Sequence, residues 1–524
     1  MQTTSEQPSS DTIKLQNLVL DLQSELSIKA DALVQKDNEI LELKQQYQHM
    51  LEQFRLSQQR QFGQSSESSP NQTELFDEAE QENAAPTDNA ITQQASGITL
   101  NKPKRQPLPK DLPRETLVHD IADADKVCGC CGHDLHRMGE ETCEQLEFIP
   151  ASVKVIEHVR PKYGCRHCEQ QGTEVDIKIA AVPPTPIPKS IATASLLSQI
   201  ITSKYQYALP LYRQESLFKQ YGIELNRKTM ASWMIRSSEL LGPVYQRLYQ
   251  VQLRQSVINA DETPLKVIHE DKNQCYMWVY CTGTDSPPTN RSNSDPPNIV
   301  LFDYQNSRAG PCAKDYLQDY QGYLQVDGYA GYEQTDATLV GCFAHARRKF
   351  IDAQKIQVKG KTGKADWAIN HIQKLYRIEK EIKGQPAAEK QRLRQEQTRP
   401  LLDVFKHWLD KSAIQVPPKS AIGKAIGYSL RQWPKLIRYL EHGDLNIDNN
   451  RAERAIKPFV IGRKNWMFAN TANGAQASAI LYSLIETAKA NGQIPFDYIK
   501  HLLDELAKKP DSIDHLLPWN VDLT

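Results

Sequence analysis

Two stretches, Ser256-Val-Ile-Asn-Ala-Asp-Glu-Thr-Pro264 and Gly322-Tyr-Leu-Gln-Val-Asp-Gly-Tyr-Ala-Gly-Tyr332, decide how the chain is read. Each is a short apolar run that closes on an aspartate. Ser256–Ala260 and Tyr323–Val326 have the length and β-branched or aromatic content of strands, so Asp261 and Asp327 are expected to follow strand ends. Tyr276–Cys281 and Ile299–Phe302 read as two strands between them, and Leu339–Phe343 as a fifth. Ala313–Tyr320 reads as a helix leading into the fourth. If the acid-bearing strands are sheet neighbours, their carboxylates face one crevice. A third acid, Glu453, lies in Asp448-Asn-Asn-Arg-Ala-Glu-Arg-Ala-Ile-Lys-Pro458, where Asn450 three residues earlier suits a helix start. Pro458 is expected to end or kink that helix.

Each acid has an ordinary reading too. Asp327-Gly328 is a common turn, Glu453 suits a helix cap or an ion pair with Lys457, and Asp261 suits a turn before Pro264. Their joint order decides between the readings. A strand with its acid, further strands and a helix, a second strand with its acid, and a later helix with its acid is the layout of a ribonuclease-H-like core. Phosphodiester transfer passes through a crowded anionic centre, which two carboxylate-held divalent cations neutralise. Hard oxygen donors suit Mg²⁺ or Mn²⁺. Asp261, Asp327 and Glu453 are therefore the candidate catalytic and magnesium-binding residues. Cations surround them in sequence: His345, Arg347, Arg348 and Lys349, then Arg451, Arg454, Lys457, Arg463 and Lys464. These are candidate DNA-phosphate contacts, with solvated surface charge as the plain alternative. Cys342 precedes His345 by three, but the sequence offers that pair no further metal ligand.

Outward from this core the chain changes character several times. At 524 residues it is long enough for several domains, and its formal net charge of -1 excludes a global polycation. Any nucleic-acid contact must be made by local basic patches. Met1 to Ser10 lacks an apolar signal core, and no apolar run approaches the ~18 residues of a membrane span. A cytoplasmic protein without membrane contact is expected. From Leu15 to Phe54 a heptad places Val19, Leu26, Leu33, Ile40, Tyr47 and Phe54 at a, and Leu15, Leu22, Lys29, Lys36, Leu43 and Met50 at d. This predicts a self-associating coiled coil over residues 1–60, or else a long helix packed on its own domain. Residues 61–115 are rich in Ser, Gln, Asn, Glu and Pro and read as a flexible linker.

Cys128-Gly-Cys-Cys131 and Cys165-Arg-His-Cys168 are two C-x-x-C pairs 34 residues apart. In a reducing compartment, paired turns with four thiolates suit a closed structural Zn²⁺ site. Cys128, Cys131, Cys165 and Cys168 are its candidate ligands, within a module spanning 116–182, and Cys130, Cys143, His133 and His167 stand in reserve. Residues 189–253 read as helical: Leu209–Tyr221 ends at Gly222, and Asn226 caps a second helix, Arg227–Arg236, around Trp233. Arg227, Lys228 and Arg236 on that helix are candidate DNA contacts of a helix-turn-helix, although an ordinary helical hairpin has the same layout. The remaining expectations are a first core segment over 254–350, a helical insertion over 351–445, a last core segment over 446–492 containing an amphipathic helix Ala475–Ala490, and a C-terminal tail helix within 493–524.

These motifs resemble the large transposase of the insertion-sequence-66 family. The likeness is carried by Ala260-Asp-Glu-Thr-Pro264, Leu301-Phe-Asp-Tyr304, Gly322 to Tyr332, Gly341-Cys-Phe-Ala-His-Ala-Arg-Arg-Lys-Phe350, Asp448 to Pro458, Gly462-Arg-Lys-Asn-Trp466 and Ser483 to Gly492. The cysteine pairs, Glu144-Gln-Leu-Glu147 through Tyr163 and the N-terminal heptads look like the same family, so the likeness covers nearly the whole chain. It implies a multidomain α+β DD-E transposase with a ribonuclease-H-like core, in which Asp261, Asp327 and Glu453 fall on the family's proposed acids. It further implies DNA partners, namely element terminal inverted repeats and target DNA, along with accessory proteins of the same element. Two other functions share the residues: a metal nuclease without strand transfer, and a non-catalytic zinc and coiled-coil DNA-binding regulator.

Overall fold

The computed structural model describes residues 10–62, 116, 152–163, 178–272, 274–284, 287, 296–357 and 363–523. Contacts divide the chain into two units, residues 1–65 with 160–524 and residues 66–159. In the second unit, the described residues 116 and 152–159 are exposed and belong to no helix or strand. Cys128, Cys131, Cys165 and Cys168, their four reserve ligands, and linker residues 63–115 lie outside the described residues.

In the larger unit, helix α1 (Ser10–Phe62) runs unbroken for 53 residues. It contains no Pro or Gly, and its a-position residues Val19, Leu26, Leu33, Ile40, Tyr47 and Phe54 are all exposed. The rest begins with an exposed antiparallel ladder, Lys162–Tyr163 with Lys178–Ile179. Three helices follow: α2 (Ala194–Tyr205), α3 (Leu211–Gln220) and α4 (Arg227–Gln252). Gly222, at φ +77°, turns the chain after α3, and Asn226 caps α4 by accepting Lys228 N–H at 2.8 Å. The turn and cap are as the sequence predicts, but α4 is far longer than the expected Arg227–Arg236. It runs through Pro243 because Leu241, Val244, Tyr245 and Leu248 all bury on one side. That apolar stripe outweighs the one hydrogen bond the proline removes.

A five-stranded mixed sheet forms the centre. Its strands are β1 (Val257–Leu265), β2 (Cys275–Thr282), β3 (Ile299–Gln305), β4 (Tyr323–Gln325) and β5 (Thr338–Val340). The spatial order is β3-β2-β1-β4-β5. β2 runs antiparallel to both of its neighbours, β1 and β3, while β4 pairs parallel with β1 and β5 parallel with β4. Between β3 and β4 lies α5 (Gly310–Leu317). All five expected strands and this helix are present, with two corrections at their ends. Asp261 does not follow β1 but sits inside it, opposite Val279, because the antiparallel pairing with β2 carries the strand on to Leu265. The fifth strand stops at Val340, and Phe343 instead opens helix α6 (Phe343–Ile356).

One sheet face buries Ile258, Ala260, Trp278, Tyr280 and Leu324 under Ala313, Tyr316 and Leu317 of α5. The other face buries Met277, Val279 and Cys281 against α11 (Asn450–Trp466), through Ala452, Ala455, Ile456 and Phe459. Between α6 and α11 come α7 (Lys364–Glu381), α8 (Ala387–Leu393), α9 (Arg399–Gln415) and α10 (Ala421–Leu436); α7, α9 and α10 share a separate core with α6 and β5, whereas α8 buries no residue. Two helices close the chain, α12 (Ala472–Ala490) and α13 (Pro495–Ala507). α12 is not amphipathic as expected. Thirteen of its side chains bury, because β3, α4 and α13 surround it. α13 buries Tyr498, Ile499, Leu502 and Leu503 in the same core as α2 and α4. The helices before the sheet, the sheet itself and the last two helices therefore form one body. Pro458 does not end α11, which continues to Trp466 on the strength of that buried face.

Candidate active site

Strand alternation builds the site. Asn259 pairs with Gln325 across the parallel seam of β1 and β4. Asp261 and Asp327 stand two residues beyond these partners, so alternation returns both to the Asn259/Gln325 face. Neighbouring strands lie about 4.8 Å apart, and where these two part the Asp327 charge acts on Asp261. Past Gln325 the chain leaves β1. Val326 N–H bonds Val340 O at 3.0 Å, and Asp327 Oδ1 accepts Tyr329 N–H at 2.8 Å in a tight turn. Gly328 holds that turn at φ +102°, and a Cβ there would press on the Tyr428 hydroxyl at 3.0 Å. Tyr428, from α10, donates that hydroxyl to Asp327 O at 2.7 Å, so the helical insertion touches the acid's own backbone.

Glu453 arrives on the first turn of α11. Asn450 is the first helical residue rather than the cap. Asp448 accepts from its backbone N–H at 3.2 Å and its side-chain amide at 2.9 Å. The cap position belongs to Asn449, whose side chain turns away from the helix into the sheet. The charges of both Asp327 and Glu453 act on Asp261. Burial and the neighbouring Glu262 charge, with those two adding, push the Asp261 carboxyl up to about 8. The structure thus gathers the three acids that lie far apart in the chain. Such a surplus of mutually repelling carboxylates fits a hard divalent cation, which removes the repulsion.

The expected cations sort into three groups. His345 Nδ1 is 3.6 Å from one Glu453 oxygen, and Arg348 Nη2 is 3.9 Å from the other, both partly exposed. Arg347, Arg454 and Lys457 are half-buried on the same two helices, α6 and α11, and Lys349 and Lys464 are exposed. Arg463 donates to Thr263 Oγ1 at 3.1 Å, and burial lowers both its pKa and that of Lys457. Arg227, Lys228 and Arg236 stand exposed on the first half of α4, a different element from the acids. Arg451 is a correction. It is only 6% exposed, reaches Thr282 O at 3.3 Å and acts on the charge of buried Glu486, so it is a structural cation inside the body. The helix that puts Glu453 at the crevice rotates its neighbour, two residues earlier, into the core.

Three features escaped the sequence reading. Glu262 is almost fully buried on the α5 face, where Arg308 reaches it at 2.6 Å and the Tyr332 hydroxyl at 2.6 Å. The Arg308 guanidinium also lies 4.0 Å from the centre of the Tyr329 ring. The fold gives Cys342 and His345 the missing third partner, Glu453: one ligand atom from each lies within 4.8 Å of the others, a set able to hold a metal ion. Burial pushes the Cys342 thiol up to about 12. Third, Asn259 and Gln325 are buried polar residues within apolar runs, each two places before an aspartate. That repeated offset is a signal the sequence does contain.

The fold and site define an α/β protein with an acid cluster where two parallel strands part, fenced by cations from two helices. The profile of the family described as "Transposase IS66 family" matches residues 189–477, and the chain belongs to that family. The "zinc-finger binding domain of transposase IS66" matches 125–169, spanning the four paired cysteines, and the "IS66 C-terminal element" matches 483–519. Residues 49–117 match "Transposase C of IS166 homeodomain". Among similar proteins are three from Sinorhizobium fredii. The uncharacterized protein y4jD is 33% identical, over 79% of this chain and 81% of its own. The uncharacterized protein y4hP is 31% identical over 84% and 81%, and y4qI is 31% identical over 80% and 79%. Among the described residues, no helix is long and apolar enough to cross a membrane.

Proposed function

We propose that this transposase is a DD-E enzyme that cuts the ends of its insertion element with water and joins the freed 3′-hydroxyl to target DNA. The carrying observation is the register of Asn259 with Gln325 where β1 and β4 separate, which supports a shared crevice for Asp261 and Asp327, each two residues beyond. A ribonuclease-H-like core is supported by the strand order β3-β2-β1-β4-β5, with the first three antiparallel and the last two parallel. In this reading α7 to α10 are the helical insertion between the second aspartate and the glutamate.

Asp261, Asp327 and Glu453 would hold Mg²⁺ or Mn²⁺, which when bound supplies charge neutralisation at the reacting phosphodiester. The chain's own groups do the rest. Glu262, neutralised by Arg308, keeps the β1 end rigid, and Tyr428 and Gly328 hold the Asp327 turn. His345 and Arg348 flank Glu453 and face the phosphate backbone. Arg347, Lys349, Arg454, Lys457, Arg463 and Lys464 extend a cationic track for DNA. Arg227, Lys228 and Arg236 form a separate contact on α4. Cys128, Cys131, Cys165 and Cys168 hold structural Zn²⁺, and α1 pairs with a second copy through its exposed heptads.

The test incubates the purified protein with labelled terminal repeats, supercoiled target plasmid and Mg²⁺ or Mn²⁺. Cleaved and joined products are expected, and Asp261→Asn, Asp327→Asn and Glu453→Gln are each expected to fall to background. Hydrolysis with no joined product would replace the transposase chemistry with that of a nuclease. An Asp261→Asn protein that cleaves and joins as well as wild type would remove the acids from catalysis.

A further inference from the structure

We infer that a buried chain of three side-chain amides, Gln325, Asn259 and Asn449, positions Glu453 against the two aspartates. The inference rests on the carboxylate reading above and goes one layer beneath it. All three residues are at most 3% exposed. An amide taken out of water is unfavourable unless its hydrogen bonds are replaced, and here they are replaced by one another. Asn259 Nδ2 donates to Gln325 Oε1 at 3.3 Å and to Asn449 Oδ1 at 3.1 Å. Gln325 Nε2 donates to Asn446 O, and Asn446 N–H returns to Gln325 Oε1 at 3.3 Å. Asn449 Nδ2 donates to Ala260 O at 2.8 Å. Its backbone N–H is also used, bonding Cys342 Sγ at 3.2 Å.

The Ala260 bond explains why an amide sits there. Tyr323 N–H bonds Ser256 O at 2.9 Å across the parallel seam, so alternate carbonyls of β1 face β4 and the next in phase are those of Ile258 and Ala260. β4 ends at Gln325, and its chain swings toward β5. Ala260 O is the first rung past the end of the ladder, between Asn259 and Asp261. Asn449 fills that rung with a side chain, so the strands can part for the acids without orphaning a backbone group. The same residue is the N-cap of α11, and Glu453 N–H bonds Asn449 O at 3.3 Å. The chain of bonds therefore runs from the β4 residue two before Asp327, through the β1 residue two before Asp261, to the backbone turn that carries Glu453. These are positioning residues, since none is itself one of the acids.

The test uses full-length, zinc-replete protein and two readouts, the Mn²⁺ midpoint for end cleavage and the rise in Tm caused by Mn²⁺. Asn449→Asp is nearly isosteric, keeps the acceptor for Asn259 and loses the donor to Ala260 O. Gln325→Met keeps length and packing and loses both polar ends. Leu409→Ala, buried in the α9 core, is the control for destabilisation alone. Both amide variants are expected to raise the Mn²⁺ midpoint about 10- to 100-fold and to shrink the Mn²⁺-induced Tm rise, whereas Leu409→Ala lowers the metal-free Tm and leaves both readouts unchanged. Amide variants with a lower metal-free Tm but a wild-type midpoint and Tm rise would overturn the inference, as would failure of every amide variant to fold. A wild-type protein whose Tm does not respond to Mn²⁺, or responds equally after Asp261→Asn, would sink the carboxylate reading itself.

Discussion

Asp261 is a buried carboxyl with a second acid as its sequence neighbour and two more within electrostatic reach, so its charged form is disfavoured in the metal-free protein. Its raised value of about 8 has a consequence for stability. The folded chain holds a proton that the unfolded chain releases near pH 4, so stability falls as pH rises from about 4 to about 8. Asparagine has no proton to lose and removes the repulsion. Asp261→Asn should therefore raise the metal-free Tm at pH 8, with a gain that fades to nothing below pH 4, while abolishing cleavage. A thermal melt across pH in buffer without added Mg²⁺ or Mn²⁺ measures it, and equal melts at pH 8 would contradict the electrostatic account. A gain in stability on loss of Asp261 together with a loss of cleavage is what the proposed function of this cluster predicts.

At the scale of elements, two contacts explain how flexible-looking segments are held. Arg394, in a single π-helical turn between α8 and α9, is 2% exposed and pairs with Glu379 of α7 at 2.7 and 2.9 Å. It also donates to Tyr439 O, His442 O and Leu445 O, the segment that leads into Asn446 and Asn449. Arg394→Met leaves Glu379 largely buried and unpaired, and should cost about 3–5 kcal/mol in chemical denaturation. Adding Glu379→Gln should recover part of that loss, and no recovery would mean the carbonyl bonds dominate. On the other side of the sheet, β3 is an edge strand, and α12 closes it. Ser483 accepts Phe302 N–H at 2.7 Å, while Thr487 accepts Val300 N–H at 3.0 Å and donates to Val300 O at 2.9 Å. Thr487→Val keeps the shape but orphans both groups of Val300, a loss of about 1–3 kcal/mol. A denaturation midpoint equal to wild type would show that water or a shifted helix replaces the hydroxyl.

At the scale of the whole molecule, α1 stands apart from the rest in chemistry. A 53-residue helix that exposes Leu22, Leu26, Leu33, Ile40 and Leu43 has the composition of one strand of a coiled coil, and these apolar side chains are not buried on this chain. Deleting residues 1–62 should convert the protein in solution to a monomer while leaving the Tm of the catalytic body within a few degrees. Sedimentation equilibrium on both proteins checks it, and an unchanged mass would assign self-association elsewhere. The body itself is a single packing unit. α2, α4 and α13, from opposite ends of the sheet's sequence, share one core, so truncation after Asn491 should unfold the sheet rather than trim a tail.

Much of this was legible without coordinates because it is written in local patterns. Short apolar runs placed all five strands, Asn226 and Gly222 bounded their helices, and the heptads of α1 need no tertiary partner to be recognised. Asp327 was legible as a residue just past a strand and Glu453 as one at a helix start, Asp261 only as a residue near a strand end, and Asn259 and Gln325 left a trace in their matching offsets. What the sequence could not determine depends on which strand neighbours which, and on the rotation of each helix. The extension of β1 past Asp261 is set by the length of β2. The burial of Arg451 beside the accessible Glu453, the encirclement of α12, and the meeting of Cys342, His345 and Glu453 all follow from packing. Local free energies fix where a chain bends and coils, but only the mutual burial of distant surfaces fixes which side chains meet.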